Sequence, residues 1–112
     1  MQEILILETK LTDLQENILI EISKTNNLPF ICKKLSIKPI TLTKAIQSLV
    51  EKEFILNQEI TDKGKKMVHY LEFKNETISL FLKKHNIPST NEIISQLNKL
   101  DYKIIIALKN LL

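Results

Sequence analysis

A three-residue break, Ser36-Ile37-Lys38, separates two short amphipathic segments, and no other feature limits the fold of this chain as much. Pro29 stands in the first turn of segment 29–35, and Pro39 opens segment 39–52. Both are positions where the missing proline N–H costs a helix nothing. In the first segment Leu28, Ile31, Cys32 and Leu35 share one face. In the second, Leu42, Ala45, Ile46, Leu49 and Val50 form an inner face, and Thr41, Thr43, Lys44, Gln47, Ser48 and Glu51 an outer one. Phe54-Ile55-Leu56 and Glu59-Ile60-Thr61 then read as two minimal strands with only Asn57 and Gln58 between them. Thr61-x-x-Gly64 closes the unit.

The flanking segments read as helices. Thr12 with Gln15 fits a reciprocal N-terminal cap, and Asp13 and Glu16 suit the positive end of a helix. Leu14, Ile18 and Ile22 continue that helix as a stripe, with Leu11 and Leu19 beside it, until Thr25-Asn26-Asn27 stops it. The apolar run Ile4–Leu7 is flanked by Gln2, Glu3, Glu8 and Lys10, which favours a helix there too. Residues 62–85 predict one long helix whose apolar positions cover roughly 240° of its circumference, more than a surface helix needs. One flank (Met67, Leu71, Ile78, Leu82) is expected to pack on the N-terminal unit. The other (Tyr70, Phe73, Leu80, Phe81) needs a second cover. After Pro88, Ser89 or Thr90 caps a helix to about Lys99, and Asp101 caps a last one rich in Ile and Leu. The expected architecture is mainly α, divided into residues 1–66 and a helical region 67–112.

Bulk properties narrow the function. One Gly and three Pro fit a helical chain, and 44% apolar residues suffice for a core built from Ile and Leu. No apolar run approaches the ~18 residues of a membrane span, and Glu3 and Glu8 stand where a secretory leader is basic. The single cysteine cannot form an internal disulfide. A cytoplasmic protein with no membrane partner is expected. Net charge is +3, unevenly spread: residues 1–23 carry −4, residues 24–66 +5 and residues 67–112 +2. Positive charge therefore concentrates where a polyanion would sit. Every basic residue is Lys, which draws phosphate as a point charge but lacks the planar fork of Arg.

The stretches KPITLTKAIQSLVEKEFI and ITDKGKKM resemble the winged helix-turn-helix regulators of bacteria and archaea. The recognition-helix pattern is similar to the multiple-antibiotic-resistance regulator group. The downstream order, a stop Gly leading into a long helix and small helical region, resembles the diphtheria-toxin-repressor (metal-dependent repressor) family. The resemblance implies a winged helix-turn-helix with a minimal two-strand wing, a long helix and two C-terminal dimerisation helices. Two departures stand out: Glu53 occupies a position where Gly is usual, and the wing is short. The family's metal ligands do not carry over. Asn75 and Ser79 stand where it has His and Glu, and its later Cys-x-x-Glu-His cluster is absent. The resemblance thus implies a metal-independent relative with no cofactor.

The function expected is sequence-specific DNA binding as a homodimer. Segment 39–52 would enter the major groove with its N-terminal residues at the bases. Thr41, Thr43, Lys44 and Gln47 would give sequence preference. Lys33, Lys34, Lys38, Lys63, Lys65 and Lys66 would contact phosphate. Tyr70, Phe73, Leu80, Phe81, Ile105, Leu108 and Leu112 would meet the partner subunit. A winged-helix protein-interaction module without DNA binding is the competing reading. Bland readings suit the remaining candidates. His69, Glu72 and Glu76 share a solvated polar arc, His85 is a favourable charge at a helix end, and Cys32 is a small buried apolar residue. No Gly-rich phosphate loop, nucleophile constellation or paired-carboxylate cleft suggests an enzyme.

Overall fold

The computed structural model describes residues 9–112. It is mainly helical, with one two-stranded antiparallel sheet. In chain order the elements are α1 (Asp13–Lys24), α2 (Leu28–Leu35), α3 (Pro39–Glu51), β1 (Ile55–Leu56), β2 (Glu59–Ile60), α4 (Asp62–Lys84), α5 (Asn91–Asn98) and α6 (Tyr102–Leu111). Ile4–Leu7 lies outside the described residues, and Thr9, Lys10 and Leu11 are not helical.

Local chemistry sets the boundaries. Thr12 and Gln15 form the reciprocal cap of α1: the Gln15 N–H donates to Thr12 Oγ1 (3.1 Å) and the Thr12 N–H to Gln15 Oε1 (3.0 Å). Thr61 caps α4, Thr90 caps α5 and Asp101 caps α6. In the hairpin Ile55 pairs with Ile60 and Leu56 with Glu59. Both connecting residues, Asn57 and Gln58, have positive φ (52° and 65°), as the tightest hairpin turn requires. Gly64 is needed for space: a Cβ there would lie 2.2 Å from the Phe54 carbonyl oxygen.

Two apolar clusters form the core. The first joins α1, α2, α3, the hairpin and the start of α4 around Ile18, Leu19, Ile31, Leu49, Phe54 and Leu71. The second joins the end of α4 to α5 and α6 around Ile78, Leu82 and Ile105. This corrects the expected packing of α4. Met67 and Leu71 do pack on the N-terminal unit, but Ile78 and Leu82, two turns further on, join the second cluster. Phe73 and Phe81 are half-buried against that same cluster, so much of the cover they need comes from their own chain. Val50, expected on the inner face of α3, is instead 42% exposed.

Between the clusters lies Lys74, on the buried row of α4 and only 2% exposed. Its Nζ donates to Glu16 Oε2 on α1 (2.8 Å) and to the Asn98 carbonyl at the end of α5 (3.1 Å). Ser95 Oγ on α5 donates to Asp13 Oδ2 on α1 (2.6 Å), a second polar bridge between the same elements. Burial raises the Glu16 pKa, against the opposing pull of Lys74. Tyr70, one turn before Lys74, is pushed up to about 12 by burial and by the carboxylates of Glu16 and Asp101. Removing one partner of a buried pair strands the other charge in a poorly solvated site. Lys74→Ala should therefore cost about 3–5 kcal/mol in urea unfolding. Lys74→Met combined with Glu16→Leu should recover most of that loss, because no lone charge remains.

Candidate nucleic-acid interface

α3 is held from one side and bare on the other. Leu42, Ala45 and Leu49 are buried in the first cluster. A polar clamp fixes the helix further along. Gln15 Nε2 on α1 donates to Ser48 Oγ (2.8 Å), and Lys52 Nζ donates to the same oxygen (3.0 Å). Ser48, expected on the outer face, is thus a half-buried anchor. At ~100° per residue it lies on the flank of the helix, next to half-buried Thr41.

The entry to α3 is shaped by Ser36, which adopts the left-handed conformation (φ 55°, ψ 47°) at the end of α2. The next N–H, that of Ile37, donates to the Cys32 carbonyl (3.0 Å), and Ile37 packs onto the core. This is the usual left-handed termination of a helix, achieved without Gly. Lys38 is the N-cap of α3 but makes no side-chain cap bond, so its ammonium is not tied to the helix end. At the other end Glu53 takes φ 67°, the conformation for which Gly is usual at this position. The Phe54 N–H donates to the Leu49 carbonyl (3.0 Å), so the turn forms with Glu in place.

The expected contact residues divide into groups. Thr43, Lys44 and Gln47 are exposed on the outer side of α3. Lys33 and Lys38 are exposed at the neighbouring α2–α3 corner, and Lys65 and Lys66 at the start of α4. Lys34 and Lys63 meet carboxylates of their own chain. Lys34 Nζ pairs with Glu21 Oε1 (3.0 Å), and Lys63 Nζ lies 3.6 Å from Glu53 Oε2 and 5.4 Å from the centre of the Phe54 ring. Thr43 Oγ1 donates to the Pro39 carbonyl one turn back (3.0 Å). Sequence reasoning passed over Ile40, which is 59% exposed beside Lys44 and Gln47, and Phe30, 49% exposed on α2. The signal for Ile40 was available: it falls at the centre of the outer arc, opposite Leu42 and Leu49.

The residues expected to meet a partner subunit divide as well. Ile105 is fully buried in its own chain; Tyr70, Phe73, Phe81 and Leu108 are half-buried; Leu80 and Leu112 are exposed. Ile104 and Leu111, at 46% and 68% exposure, form with Ala107 an uncovered apolar stripe along α6. Cys32 is half-buried rather than buried. His69, Glu72 and Glu76 lie exposed along α4, and among the described residues no three His, Cys, Asp or Glu side chains converge on a metal-sized space. No described helix is long and apolar enough to cross a membrane. Family models, curated proteins and solved structures yield no match to this chain.

Because Thr43, Lys44 and Gln47 are exposed, changing each to Ala should move unfolding stability by no more than about 0.5 kcal/mol. Ser48→Ala removes the shared acceptor of Gln15 and Lys52 and should cost about 1 kcal/mol. Urea midpoints of the four variants test this separation.

Proposed function

We propose that this chain is a winged helix-turn-helix DNA-binding regulator that acts as a homodimer. The single observation that carries the reading is α3. It is anchored along Leu42, Ala45, Ser48 and Leu49, yet it presents Lys44, Gln47 and Thr43 to solvent, with Lys33 and Lys38 at its entry. A rigid helix with an uncovered outer face bearing polar side chains and cations at its N-terminal end suits insertion into a major groove, where side chains in the first turns reach base edges. The hairpin follows as a wing of two paired residues per strand. It has no cation at its tip, so the phosphate contacts fall to α2, the α2–α3 corner and the start of α4. Lys34 and Lys63 are the weaker contributors, since each already faces a carboxylate.

The second copy is assigned to α6. Ile104, Ala107 and Leu111 recur at helical spacing on one uncovered side, and an apolar stripe of that kind is normally buried against another helix. Phe73 and Phe81 then serve the core of the chain, and of the sequence-based interface Leu80 and Leu112 are the exposed members.

Affinity for a duplex should fall steeply with salt, with several Lys–phosphate contacts each contributing roughly one unit of log–log slope. Lys44→Glu should abolish binding while the unfolding midpoint stays unchanged. Ile104→Asp with Leu111→Asp should halve the mass in solution. A folded dimer with no duplex affinity at low salt would overturn the reading in favour of a protein-interaction module.

A further inference from the structure

We infer that this face reads thymine, through a methyl-rich surface centred on Ile40, so that its preferred sites carry thymine methyl groups in the major groove. The inference rests on the DNA-binding reading and adds to it what the face selects. Ile40 is 59% exposed in the first turn of α3, on the same arc as Lys44 and Gln47. It is also the most exposed apolar side chain on α2 or α3. More than half of its sec-butyl side chain stands in solvent there.

Thr43 adjoins it, and its one hydroxyl proton is committed to the Pro39 carbonyl at 3.0 Å. Thr43 therefore has no donor left for a base acceptor; its oxygen can still accept, and its Cγ2 methyl is the apolar group it offers. The two residues together make an apolar ledge among the lysines. In the major groove the only apolar group on a base edge is the C5-methyl of thymine. A polar base edge set against the Ile40 side chain would lose water without gaining a partner from it. Gln47, one turn further along the same arc, carries the amide that pairs with adenine N6 and N7. With no Arg in the chain, the commonest guanine contact is available only in its Lys version. Methyl ledge and adenine-competent amide both favour A·T pairs.

Thymine and deoxyuridine differ only by the methyl, so the test is direct. Duplexes are selected from a random pool with the full chain, then resynthesised with deoxyuridine in place of each thymine in turn. Burying one methyl corresponds to about a fourfold change in affinity. The expected result is about fourfold weaker binding at one or two thymines per half-site. Ile40→Ala, at an exposed position, should bind the thymine and deoxyuridine duplexes equally. Thr43→Val, which keeps the methyl and discards the hydroxyl, should keep the thymine-to-deoxyuridine affinity ratio, whereas Thr43→Ser should lose part of it. Tight binding that ignores every thymine-to-deoxyuridine change would overturn the inference and leave DNA binding standing. So would discrimination that survives unchanged in both Ile40→Ala and Thr43→Ser, since the effect would then belong to the DNA. No binding to any duplex would overturn both.

Discussion

Lys74 is the interaction on which the arrangement of the chain depends. Its ammonium sits almost wholly out of water and touches α1 through Glu16 and the end of α5 through the Asn98 carbonyl. A charge in such a place is tolerated only when its partners are fixed. The pair therefore ties the helix that carries it to elements on either side of it. The apolar cluster that supports α3 lies on one side, and the cluster built by α5 and α6 on the other. Movement of the C-terminal helices relative to α1 would break the contacts of a buried ion. α4 is thus a rigid spine between the proposed reading surface and the proposed dimer surface.

Turn chemistry shows a second constraint. Ser36, Glu53, Asn57, Gln58 and Asn86 all adopt positive φ, and none is Gly. Each such position carries a modest conformational cost for a side chain, least for Asn. The one Gly in the sequence is kept for Gly64, where the space beside the Phe54 carbonyl excludes any Cβ. The corners on either side of α3 are held by backbone hydrogen bonds and by Ile37 and Phe54 seated in the core, rather than by residues that favour those angles. α3 is positioned by tertiary packing more than by its local sequence.

That balance explains which features were legible in the residues alone. Helix starts were readable where Thr12, Thr90 and Asp101 cap through side chains whose chemistry is local, whereas Thr61, expected to end the second strand, instead caps α4. The hairpin was readable because Asn57 and Gln58 leave only two residues between the strands. The division of α4 between two clusters was not, because Met67, Leu71, Ile78 and Leu82 form one continuous row whatever they pack against. The clue passed over was Lys74, a charge set between Leu71 and Ile78 in that row. Val50 and Ser48 were misassigned for a related reason. Periodicity gives the direction of a side chain, but not where its neighbours end or which polar partner lies opposite. On the proposed interface, the outer positions of Thr43, Lys44 and Gln47 followed from helical spacing. The engagement of Lys34, Lys63 and the Thr43 hydroxyl depends on residues far apart in the chain or on rotamers, which spacing does not encode.

The central claim is that the outer face of α3 is where DNA meets this protein. Amide chemical shifts of the isotopically labelled chain, recorded with and without an A·T-rich duplex, test it most directly. The account predicts that the largest changes fall on residues 38–47 and on the lysines of α2 and the start of α4, with α6 unchanged except where a second copy is involved. Changes confined to α5 and α6, or none at all at low salt, would contradict it.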